Sequence, residues 1–186
     1  MSTVKRLLAE TSVVVVIDIQ DKLLAKMPGA AALVRNAGFV LDVAAKLGVP
    51  VLATEQYPKG LGPTTPEVAR RLAPALPAKT TFSCCGAGTF LEELEMLRRP
   101  NVVLVGMETH VCVAQTALDL LHAGLNVFLP ADAISARNAI DHDTALRRLE
   151  QAGAVPTTTE ATAFEWLRDA AHVQFKAVSA LVKDRG

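Results

Sequence analysis

Asp18, Lys79 and Cys112 are the residues whose types and placement could do covalent chemistry together. Asp18 closes the run Val13-Val14-Val15-Val16-Ile17, Lys79 opens Lys79-Thr80-Thr81-Phe82-Ser83, and Cys112 follows Asn101-Val102-Val103-Leu104-Val105 after one sharp turn. A thiol attacks as its thiolate, so it needs a base to take its proton and a cation to hold the charge. A carboxylate and an ammonium supply both. The turn Gly106-Met107-Glu108-Thr109-His110-Val111-Cys112-Val113 also puts the cysteine where a helix begins. Helix N-termini favour thiolate through unpaired N–H groups and the dipole, so Cys112 is expected to react well below about pH 8, ahead of Cys84 and Cys85.

Taken singly, each residue has an ordinary explanation. A charge near a strand end can be a solvated edge, a lysine is one of 19 basic residues, and a free cysteine packs as a small hydrophobe. Asp18 is harder to dismiss, because an unpaired carboxylate buried behind five apolar residues is costly. The joint placement at strand ends is what points to a site.

The elements that must position these residues alternate along the chain. Residues 13–19, 49–54, 80–83, 101–105, 125–129 and 154–158 read as strands, the first continuously apolar as in a strand covered on both faces. Residues 30–47 carry apolar side chains at helical spacing and end at Gly48. Further helices are expected over 66–72, 90–97, 112–123, 138–152, 161–170 and 173–183, with Thr89 and Glu92 as a capping box. Strand and helix in alternation mean parallel pairing through crossovers, hence a doubly wound α/β fold. In such sheets ligands bind beyond the carboxyl ends of the strands. No linker or repeat divides residues 1–186, which read as one domain.

Net charge is zero, with 20% charged and 51% hydrophobic residues, so no basic stripe is available for nucleic acid. Three cysteines, two of them adjacent, do not make a disulfide framework and fit a reducing, cytoplasmic setting. The first apolar run is interrupted by Asp18 and lacks a cleavage pattern, and no stretch is long enough to span a membrane.

Asp18-x-Gln20, Lys79-x-x-Phe82-Ser83 and Gly106-x-Glu108-Thr109-His110-Val111-Cys112-Val113, in that order, resemble the isochorismatase-like cysteine hydrolases. The loop from Thr54 through Glu55-Gln56-Tyr57-Pro58-Lys59-Gly60 further resembles the isochorismatase domain-containing branch. The resemblance implies a three-layer α/β/α, Rossmann-like fold on a six-stranded sheet. It also implies a catalytic triad of Asp18, Lys79 and Cys112 and a cis peptide between Met107 and Glu108. The backbone N–H groups of Glu108 and Cys112 would then form an oxyanion hole. Gln20, Tyr57 and Phe82 would line the pocket.

Nicotinamidases of the superfamily bind a metal through histidines, but here the corresponding loop reads Glu55-Gln56-Tyr57. No metal and no cofactor are therefore expected, and Cys112 itself argues against isochorismate as substrate. The expectation is a metal-independent hydrolase of the amidase type, acting on a small amide or related carbonyl compound through a thioester. A homo-oligomer is expected from the resemblance and from Phe164, Trp166, Leu167, Phe175, Val178 and Leu181 on the last helices. A catalytically silent scaffold and a nuclease are the alternatives.

Overall fold

The computed structural model describes residues 4–185. Ser12–Ile17 (β1) is buried at every position, as a continuously apolar run requires. After β1 come Asp21–Leu24 (α1), Ala30–Leu47 (α2), Val51–Gln56 (β2), Pro58–Leu61 (α3), Pro66–Ala69 (α4) and Ala78–Lys79 (β3). The second half comprises Phe90–Leu97 (α5), Asn101–Met107 (β4), Ala114–His122 (α6), Asn126–Pro130 (β5), Ile134–Ser135 (β6) and Ala139–Gln151 (α7). Val155–Thr157 (β7), Thr159–Leu167 (α8) and Phe175–Lys183 (α9) complete it.

All strand pairs are parallel, in the order β3-β2-β1-β4-β5-β7, with β6 beside the end of β4. The sheet has seven strands rather than the expected six, because the two-residue β6 pairs Ile134 with Gly106 and Ser135 with Met107. The third strand also moves. It covers Ala78–Lys79, not residues 80–83, and the chain beyond it bends. The Lys79 ammonium draws the carbonyls of Thr81 and Phe82 around itself, at 3.4 and 3.0 Å, which an extended strand could not offer. The expected capping box does not form either, since the Thr89 hydroxyl donates to Glu93 instead.

Alternation along the strands sorts the apolar side chains into two cores. Val14, Val16, Val103 and Val105 pack against α2, α8 and α9, while Val13, Val15, Ile17, Val102 and Leu104 pack against α5, α6 and α7. The fold is therefore a three-layer α/β/α sandwich. The apolar residues of α8 and α9, expected at a subunit contact, are largely spent on this core. Trp166, Leu167 and Val178 are buried in it, and the indole N–H of Trp166 donates to Ser12 Oγ at 3.0 Å. Of Phe164, Trp166 and Leu167 on α8, only Phe164 stays exposed. Among the described residues no helix is long and apolar enough to cross a membrane.

Gly106 governs how closely β4 approaches β1. Its φ is +136°, and a Cβ there would lie 2.1 Å from the Ile17 carbonyl oxygen. Any side chain must push the two strands apart beside Asp18. Gly106→Ala is expected to cost about 3 kcal/mol or more, from backbone strain and overpacking together. Urea denaturation checks this, and a loss below about 1 kcal/mol would show that the strands can separate freely.

Candidate active site

The chain runs outward from β1 through β2 to β3, then returns to lay β4 on the other side of β1. The gap between β1 and β4 is thus the topological switch point, where a crevice opens at the carboxyl ends. Register aligns Ile17 with both Thr54 and Gly106, and Gln56 with Lys79. Asp18, Thr54, Gln56, Lys79 and the turn after β4 are brought to one sheet edge by this pairing alone.

Asp18 takes a left-handed φ of 54°, an uncommon conformation that aspartate tolerates better than most residues. Its Oδ2 accepts from Lys79 Nζ at 2.7 Å and its Oδ1 from the Thr54 hydroxyl at 3.0 Å. Lys79 spends its remaining protons on Gln56 Oε1 at 2.6 Å and the carbonyl of Phe82 at 3.0 Å. Both side chains of the ion pair are wholly shielded from solvent. Desolvating two charges is expensive, and it is offset here by a hydrogen bond to each Asp18 oxygen and a partner for each Lys79 proton. Burial pushes the Asp18 carboxyl above its ordinary value. The Lys79 charge, with hydrogen bonds from Lys79, Cys112 and Thr54, holds part of that rise back.

Cys112 does not open an α-helix. It lies in a wide turn, Thr109–Val113, where the N–H groups of Val111 and Val113 both donate to the Glu108 carbonyl, at 3.0 and 3.2 Å. The α-helix starts only at Ala114, and its Thr116 hydroxyl returns a hydrogen bond to the Cys112 carbonyl at 2.7 Å. Such wide turns recur at functional sites. The expectation of a thiolate at rest is corrected. Burial first, then the Asp18 charge, push the Cys112 thiol up to about 12, and Lys79 only partly opposes them. Cys112 rests as a thiol. A single helix-start dipole would in any case be outweighed by burial and by the anion next to the sulfur.

A cavity of about 380 Å³ opens over Cys112. Leu23, Leu61, Phe82 and Val111 give it apolar walls, and Lys26, Gln56, Glu108 and Arg137 supply its polar groups. A larger groove of about 640 Å³ between α2, α4 and α9 carries several arginines but no nucleophile. Of the three expected pocket residues, Phe82 lines the cavity and the other two do not. Gln20 is fully buried, and its amide is consumed by the N–H and C=O of Gln56 and the carbonyl of Gly62. It clamps β1 to the loop after β2 and so fixes Gln56. Tyr57 turns outward with its ring over Gly60.

Sequence reasoning missed Thr54, Gln56 and Arg137. The first two had a signal, since residues two apart in β2 share a face and Thr54 pairs with Ile17. Arg137 sits just after β6, far along the chain, and nothing local marks it. Cys84 lies behind the ion pair, its sulfur 3.3 Å from Thr54 Oγ1, and burial raises its thiol to about 11. His110 faces Glu108, Nδ1 to Oε2 at 3.4 Å, and His142 Nδ1 is 2.9 Å from the Thr109 hydroxyl, so both histidines brace the turn. All peptide bonds among the described residues are trans, including the one expected to be cis between Met107 and Glu108. Gly106 and the wide turn accomplish the change of direction. Among the described residues, no three His, Cys, Asp or Glu side chains converge as metal ligands.

The isochorismatase domain model matches residues 12–161. The chain is 41% identical over 181 residues to isochorismatase domain-containing protein 2A of Mus musculus, covering 96% of this chain and 86% of that protein. The MAR1 ribonuclease from Caenorhabditis elegans superposes with a TM-score of 0.89 at 39% identity, over 96% of this chain and 93% of its own. The YcaC gene product of Escherichia coli, an octameric hydrolase of unknown specificity, shares the fold at a TM-score of 0.86 and 24% identity, over 99% and 98% of the two chains. The chain belongs to the isochorismatase-domain family and has its hydrolase fold.

Proposed function

We propose that this protein is a metal-independent cysteine hydrolase that cleaves a small amide or related carbonyl compound through a thioester on Cys112. The observation that carries the reading is a buried, fully hydrogen-bonded Asp18–Lys79 pair set against a cysteine that floors a cavity. Nothing in packing alone rewards such an arrangement, because apolar residues of similar volume would serve a core as well.

In the proposed cycle Asp18 takes the thiol proton as Cys112 Sγ attacks the substrate carbonyl. Coupling these events removes the need for a free thiolate, which the resting site disfavours. Without the cis bond first expected, the backbone N–H groups of Glu108 and Cys112 are assigned to the developing oxyanion from the wide turn alone. Asp18 then returns the proton to the leaving amine, and the C–N bond breaks to leave the acyl group on sulfur. Water, deprotonated by Asp18, releases the acid and restores the thiol. Lys79 orients Asp18 and stabilises its charged form.

Hydrolysis of a panel of small amides and esters, followed by intact-mass analysis, tests this. An acyl adduct is expected on Cys112, with turnover falling by about 10³-fold or more in Cys112→Ser. Undiminished turnover in Cys112→Ala would overturn the reading.

The name of the Caenorhabditis elegans relative favours a second reading, phosphodiester cleavage. The zero net charge of the chain speaks against it. RNA cleavage lost in Cys112→Ser would establish it. We further propose a homo-oligomer and a cytoplasmic setting, the latter suggested by a cysteine count of three with two adjacent.

A further inference from the structure

The cavity over Cys112 holds one ion pair that the proposed reaction does not use. Glu108 Oε1 accepts from Arg137 Nε at 2.8 Å, with the carboxylate side chain 9% exposed and the arginine 56%. The other carboxylate oxygen, Oε2, is sealed from solvent and has no hydrogen bond, with only His110 Nδ1 facing it at 3.4 Å. A sealed oxygen cannot meet a substrate. The reach of Glu108 into the cavity is therefore through Arg137.

A guanidinium offers five N–H donors in a rigid planar fork. Glu108 takes the Nε donor and so fixes the plane, while the Nη1 and Nη2 groups bond to no other described residue. That free edge matches the two oxygens of a carboxylate. Besides this pair and the Cys112 thiol, the one ionisable residue on the cavity wall is Lys26, a second cation. Glu108 and Arg137 cancel in net charge, so Lys26 supplies the excess positive charge above the apolar walls, and the guanidinium edge supplies directed donors.

We propose that this cavity selects acyl substrates whose apolar body carries a carboxylate, with Arg137 as the residue that reads it. Glu108 is the positioning residue that aims the guanidinium. Amine-tailed substrates meet Lys26 and a guanidinium edge that offers only donors, and so are disfavoured. The inference rests on the acyl-transfer reading for its chemistry, but its binding half can be tested apart from it.

Two alkylating probes separate the possibilities, N-iodoacetyl-4-aminobutanoate and its neutral amide. Both present the same carbon to sulfur, which displaces iodide, and they differ only in the distal charge. The ratio of their rates at Cys112, read by peptide mass spectrometry, is expected to exceed the ratio at Cys85 by about tenfold. Arg137→Met should bring the Cys112 ratio down to that of Cys85, and Arg137→Lys should restore part of it. Glu108→Gln should lower the ratio less than Arg137→Met does.

A Cys112 ratio equal to that of Cys85, with Cys112 still alkylated, would overturn the carboxylate inference and leave the nucleophile standing. If Cys112 resists both probes even above about pH 10, where a raised thiol begins to ionise, the acyl-transfer reading fails, and melting curves decide the inference instead. Hexanoate at about 10 mM should then raise the Tm more than hexanamide does, and Arg137→Met should erase that difference. Equal shifts from the two in wild-type protein would overturn it.

Discussion

Lys79→Met is expected to destabilise the fold by about 3–5 kcal/mol at neutral pH, the cost of leaving a buried partner charge uncompensated. Lys79 is the only cation hydrogen-bonded to Asp18 among the described residues, and neither side chain reaches solvent. Methionine fills similar volume, so the loss would report charge rather than a cavity. The pH dependence separates the two. Burial already holds the Asp18 carboxyl above its ordinary 3.8, and removing the lysine raises it further. A group raised in the folded state binds a proton that the unfolded chain releases. Its stabilising contribution is complete below the unfolded value and is lost as pH climbs through the folded one. The gap between variant and wild type should accordingly be small near about pH 4 and widen toward neutrality. Adding Asp18→Asn to Lys79→Met should recover at least about 1 kcal/mol, since the orphaned charge is then gone. Urea titrations at acidic and neutral pH supply the check. A deficit that does not change with pH would mean that Lys79 contributes packing and little else.

Much of this arrangement was legible in the sequence because it is written in local pattern. Five consecutive apolar residues ahead of Asp18 could only be a covered strand, and β1 is buried throughout. Gly48 ends α2 at a φ of 67°, as its type foretold. What escaped depends on register and on distance through space. Gln20 and Gln56 are both glutamines near strand ends, yet only pairing decides that one clamps backbone and the other meets Lys79. Residues 80–83 read as a strand because Thr, Phe and Ser suit one. The ammonium of Lys79, which bends them, is a tertiary effect. The ionisation of Cys112 is hidden for the same reason, since the triad pattern puts Asp18 near the sulfur but does not reveal how deeply both are buried. Arg137 reaches the cavity after a crossover and a further strand pair, so no spacing rule links it to the cysteine.

Asp18→Asn should move thiol reactivity and turnover in opposite directions. The Asp18 charge is the second cause, after burial, that lifts the Cys112 thiol, while Lys79 pulls it down. Asparagine removes the anion and leaves the cation, so the thiol in the variant should ionise at lower pH. Each unit of that fall gives about tenfold more thiolate, and iodoacetamide should label Cys112 about tenfold or more faster near pH 9 than in wild-type protein. In wild-type protein the labelling rate should keep climbing past pH 10, toward the value of about 12. Turnover should nevertheless fall, by about 10³-fold, because an amide side chain can neither accept the thiol proton nor deliver it to the leaving amine. Lys79→Met is the mirror case, with slower labelling because the opposing cation is gone. A site that stored a thiolate at rest would behave differently, losing labelling and turnover together when its base was removed. Parallel loss of both in Asp18→Asn would therefore sink the coupled proton transfer and restore the preformed thiolate.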